Sequence, residues 1–406
     1  MSNIFTSADI LLPKRIGETE FAKKWAVIAC DQFTAEIDYW QSVEKEVGTA
    51  QSALRIILPE VYLSKKEKRF DAIAQKMAEY KVNVFAEYKN SMIFVRRQIN
   101  NKIRHGIVGK IDLEQYDYST DSKTPVRATE GTVLERIPPR VAVRRNAVIE
   151  SPHVMLLIDD ADQGIIEPLD AAVSKMKKIY DFELMLGGGN VEGYLLPDDT
   201  VAEVLEKINK LFDQSNNSIK FAVGDGNHSL ASAKARYEEL KEKIGEEKAK
   251  KHPLRYALCE VVNLHDSALE FEPIYRIVKT KNKHKLLDNL RTAAVEYGNG
   301  TQHVDCLFDG KKERISLGAG THMLTVGTLQ KFLDSQESIE IDYIHGIDSI
   351  TKLSDDEDCI GFVFEGMKKE ELFAAVERDG ALPRKTFSMG EARDKRYYIE
   401  CRDITE

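Results

Sequence analysis

The stretch FAVGDGNHSL, residues 221–230, sets the reading of the fold. An apolar run, Phe221-Ala222-Val223, stops at Gly224. The segment that follows, Leu230 to Ile244, has helical spacing. The pattern is a strand feeding a helix through a turn that carries a carboxylate (Asp225), an amide (Asn227), an imidazole (His228) and a hydroxyl (Ser229). A plain connection needs only a glycine and one capping side chain, Asn227 or Ser229. The first amides of a helix lack internal partners and lie at the positive end of its dipole, so such a turn can also hold an anion. Gly224 and Gly226 permit close approach of the backbone to a ligand. Asp225 could hold a divalent cation or accept a proton, and His228 could meet a phosphate or act as acid or base.

Similar alternation extends to either side. Strands are expected at 92–95, 106–111, 154–158, 221–223 and 256–262, and helices at 65–81, 167–180, 201–214 and 230–244. Pieces of helix are expected within 17–50, with Trp25 and Trp40 as core anchors. The GGGN turn at 187–190 lacks the GK[ST] ending of a phosphate loop and reads as a hairpin between 182–186 and 194–196. After Thr280 a helix opens a smaller part with strand candidates at 303–308, 313–317, 360–364 and 396–401. The fold class is therefore α/β (mixed α+β), a central mixed sheet flanked by helices with a smaller C-terminal α+β part. The regions are drawn at 1–125, 126–279 and 280–406.

Composition narrows the function classes. The chain has 406 residues, 42% of them apolar and 31% charged, with a net charge of -9. No apolar run approaches the ~18 residues of a membrane span, and no signal peptide is expected. Five scattered cysteines without a CxxC pair suit reduced thiols and a cytoplasmic location. The acidic balance argues against nucleic acid as a partner. It leaves room for a local basic pocket, and RATEGTVLERIPPRVAVRR, 127–145, is the densest arginine cluster: Arg127, Arg136, Arg140, Arg144 and Arg145. Arginine suits bidentate contact with phosphate or carboxylate, and equally an ordinary solvated surface. The histidines show no zinc spacing, and His153 reads as a core or cleft residue. No GxSxG elbow or GxGxxG turn is present.

The sequence resembles a bacterial and archaeal family known as domain of unknown function ten-fifteen. Its DGHHR motif is matched by Asp225-Gly226-Asn227-His228-Ser229, and its HExT motif by Thr129-Glu130-Gly131-Thr132. Its P-T-H-R segment is matched by Pro273-Ile274-Tyr275-Arg276, and its MPxKST segment by Leu382-Pro383-Arg384-Lys385-Thr386. CDQFT, 30–34, and RATEGTVLERIPPR look like a branch signature. The chain departs from the motifs at Asn227, Ser229, Thr129 and Tyr275, where the family's side chains are absent. The DGHHR turn is in turn similar to that of the ParB/sulfiredoxin superfamily, whose members bind nucleotides there and include free-serine kinases.

The resemblance implies a nucleotide-dependent phosphotransferase or nucleotide hydrolase acting on a small molecule. ATP, ADP or CTP with Mg²⁺ would be the cofactor. Asp225, His228 and Glu130 are the catalytic candidates, with Asp225 on the metal. Gly224, Gly226, Asn227, Ser229, Thr132, Arg127, Arg136, Arg140, Arg276 and Lys385 are the binding candidates. The alternatives are a non-catalytic nucleotide- or metabolite-binding regulator and a ParB-like DNA-associated protein. Association of the chain with itself is left open.

Overall fold

The computed structural model describes residues 3–65 and 67–405. The chain divides into two compact units. The first comprises 1–128, 132–269 and 391–406, and the second comprises 129–131 and 270–390.

The first unit is built on a ten-stranded mixed sheet. Its strands run in the order Lys177–Glu183, Asn190–Leu195, Ile93–Ile99, Lys102–Asp112, Tyr256–Asn263, Met155–Ile158, Phe221–Asp225, Val126–Ala128 and Tyr116–Asp117, with Phe5–Thr6 also paired to Lys102–Asp112. Met155–Ile158 lies parallel to Tyr256–Asn263 and antiparallel to Phe221–Asp225, which in turn lies parallel to Val126–Ala128. Successive side chains of a strand point to opposite faces. Accordingly Ile93 and Val95 join one apolar cluster, with Trp25 and Trp40, while Phe94 joins the other, with Phe221, Leu230 and Tyr237. Both faces are covered, which explains why Met155–Ile158 is apolar throughout rather than alternating. The helices Thr19–Trp25 and Ile37–Val47 place Trp25 and Trp40 in the core, both 0% exposed. The Trp25 indole donates to the Ile399 carbonyl at 3.0 Å.

The last residues complete this unit. Tyr397–Tyr398 pairs with Val27–Ile28, and Arg402–Asp403 pairs with Ile149–Glu150. The strand candidate at 396–401 is thus a short strand of the first unit, with Arg396 buried between Glu260 and Glu400.

One expected helix is replaced. Residues 167–175 form a 3-10 turn entered through Pro168, and Lys177–Glu183 is a strand. That strand pairs antiparallel with Asn190–Leu195 across the glycine turn. A register shift between Lys178 and Tyr180 lets neighbours Ile179 and Tyr180 both bury, a doublet that mimics helical spacing in the sequence. The turn itself needs left-handed backbone at Leu186, Gly187 and Gly189 (φ 54°, 76° and 76°), as a hairpin reading of GGGN requires.

The second unit holds a six-stranded antiparallel sheet: Lys311–Gly318, Gln302–Phe308, Cys359–Val363, Phe271–Lys279 and Glu340–His345 in order, with Phe387–Met389 paired to the start of Phe271–Lys279. Four helices, Lys283–Glu296, Thr325–Asp334, Ile347–Leu353 and Glu371–Asp379, belong to it. Among the described residues no helix is long and apolar enough to cross a membrane.

Candidate functional site

In the first unit the strand Phe221–Asp225 ends and the helix Asn227–Ile244 begins with one residue between them, Gly226. Gly226 is left-handed, with φ 80° and ψ 26°. A Cβ there would stand 3.0 Å from the Val154 Cα and 3.4 Å from the His153 Cδ2. The glycine is therefore fixed twice, by its backbone angles and by the neighbouring segment pressed against it. No side chain caps the helix among the described residues, so neither Asn227 nor Ser229 takes the capping role.

The polar groups around this junction are unevenly committed. Asp225 Oδ1 accepts from the Gly226 N–H at 3.0 Å. Its Oδ2 has no hydrogen-bond partner, and the Lys395 ammonium lies 3.8 Å away. Asn227 Oδ1 and Thr132 Oγ1 are likewise buried without a hydrogen bond. His228 Nε2 accepts from the backbone N–H of Val133 at 3.2 Å, which brings the end of the TEGT motif to the first turn of the helix. The Nε2 of that tautomer is unprotonated, so His228 faces Val133 as an acceptor.

Beneath Gly226 lies a buried group that sequence reading did not assemble. His153 Nδ1 is 2.6 Å from the Tyr398 hydroxyl, and its Nε2 is 3.3 Å from Asp31 Oδ2. The Tyr398 hydroxyl also accepts from the Cys30 N–H at 3.2 Å. Burial would raise the Asp31 carboxyl, yet His153, Gln32 and Arg140 together hold it well below the ordinary carboxylate range. Burial, with the Asp31 charge, pushes the Cys30 thiol up to about 11, so it is not an activated nucleophile. The signals were present in CDQFT and in His153 before an apolar strand, but nothing in the sequence joined them to Tyr398.

The arginine cluster does not converge. Arg127 is 2% exposed and donates to the Thr124 carbonyl at 2.8 Å and to the Ser218 hydroxyl. Arg136 is exposed, Arg140 pairs with Glu60, Arg144 with Glu150 at 3.1 Å, and Arg145 with Glu239 at 2.6 Å. Three of the five are paired with carboxylates, Arg140 and Arg145 with ones distant in sequence and Arg144 with nearby Glu150.

Other motif residues meet in the second unit. Leu382 donates to the Thr129 carbonyl at 2.8 Å and accepts from the Gly131 N–H at 3.1 Å, so Glu130 is strapped to the 382 segment. Arg276 is fully buried and donates to the carbonyls of Arg384 and Lys385 at 3.1 and 2.8 Å and to the Gln330 side chain at 2.8 Å. Burial pushes its pKa down to about 10, against the pull of Tyr343, Glu130 and Asp334. Its guanidinium is committed to backbone, whereas Lys385 is exposed in a left-handed conformation, φ 57°. The candidates thus fall into two groups: Gly224 to Ser229, Thr132, Arg127, Arg136 and Arg140 in the first unit, and Glu130, Arg276 and Lys385 in the second.

Among the described residues no group of three or more His, Cys, Asp or Glu converges to hold a metal. Asp225 could supply a single carboxylate oxygen. A Mg²⁺ held there would take its other ligands from phosphate and water, as that ion commonly does.

The chain belongs to the family described as "Protein of unknown function (DUF1015)", which it matches over residues 11–342. No curated protein matches it. Among solved structures it is similar to a free serine kinase in complex with AMP, at 10% identity and a TM-score of 0.38, covering 73% of this chain and 90% of that one. It is also similar to a conserved hypothetical protein from Pyrococcus furiosus (12% identity, TM-score 0.35, 73% and 94% covered). A C-terminally truncated SbnI from Staphylococcus aureus gives 10% identity and a TM-score of 0.37, with 70% and 83% covered. Likenesses of this size assign no function to this family member.

Proposed function

We propose that the protein binds a nucleotide at residues 224–229 and transfers or hydrolyses its terminal phosphoryl group, acting on a small molecule. The observation that carries this reading is the left-handed Gly226 opening a helix that no side chain caps, beside a carboxylate oxygen without a hydrogen bond and the Lys395 ammonium. Helix amides and a cation suit phosphate, and a carboxylate oxygen without a hydrogen bond suits the metal that accompanies it. Phosphoryl transfer asks the protein mainly for positioning and charge neutralisation. The ParB/sulfiredoxin-like character of the turn and a cytoplasmic location belong to the same proposal.

Each side chain has a stated task. Asp225 meets Mg²⁺, which supplies charge neutralisation on the phosphates. His228 and the amides of the first helical turn contact phosphate, and Thr132 adds a hydroxyl. Arg276 shapes the 384–386 turn rather than touching ligand. Glu130 and Lys385, which belong to the second unit, are given no role at this site. Arg127 is structural.

A second reading is a nucleotide-binding regulator without turnover. A thermal-shift screen of ATP, ADP and CTP with and without Mg²⁺, followed by a phosphate-release assay, separates the two. Ligand binding to the native state raises the melting temperature by mass action. A Mg²⁺-dependent shift with turnover supports the enzyme, and a shift without turnover supports the regulator. No shift with any of the three would remove both.

A further inference from the structure

The first unit contains a cavity of about 110 Å³ that the phosphate site meets only at Ser229. Its walls come from the 56–60 segment, the helices Glu67–Asn83 and Ile137–Arg145, the first turns of Asn227–Ile244, and the His153–Tyr398 pair. Ile57, Leu58, Met77 and Val143 make much of the wall apolar. The charged groups that reach it are already paired: Arg140 with Glu60, Arg144 and Arg402 with Glu150. A charged ligand would have to break one of these pairs and leave a buried charge exposed to low dielectric, which is strongly unfavourable. His153 on the wall is 3% exposed; its Nδ1 is engaged by the Tyr398 hydroxyl, and its Nε2 makes no hydrogen bond and has the Asp31 carboxylate 3.3 Å away. Ser229 lines the same cavity and also sits in the first turn of the helix beside Gly226.

We propose that this cavity is a second binding site, for a small uncharged molecule with an apolar body and one hydroxyl end directed to His153 and Ser229. The volume sets the size. A dry cavity of about 150 Å³ accepts benzene, so this one suits about four to six heavy atoms. The apolar wall holds the body by area removed from water, and the hydroxyl takes the hydrogen bonds that His153 and Ser229 offer. The site stands on the cavity alone and goes beyond the phosphate reading. Ser229 is where the two ligands would adjoin.

The test uses the full chain and three probes of matched size: cyclopentanol, butyrate and butylammonium. Saturation-transfer NMR should show cyclopentanol bound and the two ions at least tenfold weaker. With methyl-labelled protein, cyclopentanol should give intermolecular NOEs to Met77 and Val143. Val143→Phe, which fills the cavity, should weaken cyclopentanol at least tenfold. If that variant does not fold, the NOEs on the unaltered protein decide. Equal binding of the ions, NOEs that miss Met77 and Val143, or no cyclopentanol signal would each overturn the proposal. Nucleotide titration of the same sample keeps the two readings apart. Alcohol binding without nucleotide binding supports the cavity site and overturns the phosphate site, and nucleotide binding without alcohol binding does the reverse.

Discussion

Gly226→Ala tests whether the junction is as tightly determined as its geometry indicates. Two costs add. A non-glycine residue at φ 80° and ψ 26° pays about 1–2 kcal/mol for left-handed backbone. The new methyl would also stand 3.0 Å from the Val154 Cα, a backbone atom of a residue that is 0% exposed and cannot swing away, and 3.3 Å from its Cγ2. Overpacking of this kind costs about 1–3 kcal/mol. Alanine recovers about 0.4–1 kcal/mol by restricting the unfolded chain. The net expectation is a loss of about 2–4 kcal/mol. With a urea dependence of about 2 kcal/mol/M, the unfolding midpoint should fall by about 1–2 M. Trp25 and Trp40, the chain's two tryptophans, are both buried in the first unit, so their fluorescence reports that unit. Gly164→Ala is the reference: Gly164 has no positive φ and nothing within 4 Å, and its substitution should stay within about 0.5 kcal/mol of zero. A loss below about 1 kcal/mol for Gly226→Ala would show that the turn relaxes freely, and the argument for a rigid phosphate cradle would fail with it.

Asp225→Asn keeps the acceptor for the Gly226 N–H but removes the charge, so apo stability should change by about 1 kcal/mol or less while nucleotide affinity falls most with Mg²⁺ present; calorimetric titration showing equal affinity at saturating Mg²⁺ would refute the metal role. Arg396→Met strands the buried carboxylates of Glu260 and Glu400 and should cost about 3–5 kcal/mol by urea unfolding, whereas a near-neutral result would mean those carboxylates find other partners. His105 loses from burial but gains more from Asp266 and Asp170, so its folded pKa lies above 6.5. Its contribution is full below pH 6.5 and fades as pH rises through the raised value. His105→Gln should therefore flatten the fall in stability between about pH 6 and 8, and an unchanged slope would count against the pair.

The legible part of the fold was the part written in local pattern. Phe221 to Ile244 announced a strand, a turn and a helix because apolar period, glycine and helical spacing agreed. The glycine turn at 187–190 was readable for the same reason. Glu167 to Tyr180 misled because Ile179 and Tyr180 bury side by side at an irregular point in the strand ladder. Phe271–Lys279, which pairs with three neighbours in the second sheet, gave no signal: Pro273 interrupts it, and its most buried side chains include a charged one, Arg276. The return of 391–406 to the first unit depends on pairing with Val27–Ile28 and Ile149–Glu150, which no local window contains.

At the site the sequence offered residue types suited to phosphate chemistry but could not say which were already engaged. Arg140, Arg144 and Arg145 looked like an anion pocket, and each has a carboxylate partner supplied from elsewhere in the chain. Arg276 looked like a ligand contact, and its donors hold backbone carbonyls. Among the buried atoms without a hydrogen bond, four gather near the junction: Asp225 Oδ2, Asn227 Oδ1, Thr132 Oγ1 and His153 Nε2. Two belong to the turn itself, Thr132 precedes the residue that donates to His228, and His153 packs against Gly226. Leaving a buried polar atom unmade costs about 1–3 kcal/mol, so several of them around one strand–helix junction constitute a standing cost to the fold unless a ligand or ordered water offsets it. Stability alone would favour capping this helix with a side chain. That the chain instead keeps a helix start with no side-chain cap, a carboxylate oxygen without a hydrogen bond and a glycine pressed to its neighbours is the strongest reason to look for function there rather than along the arginine stretch.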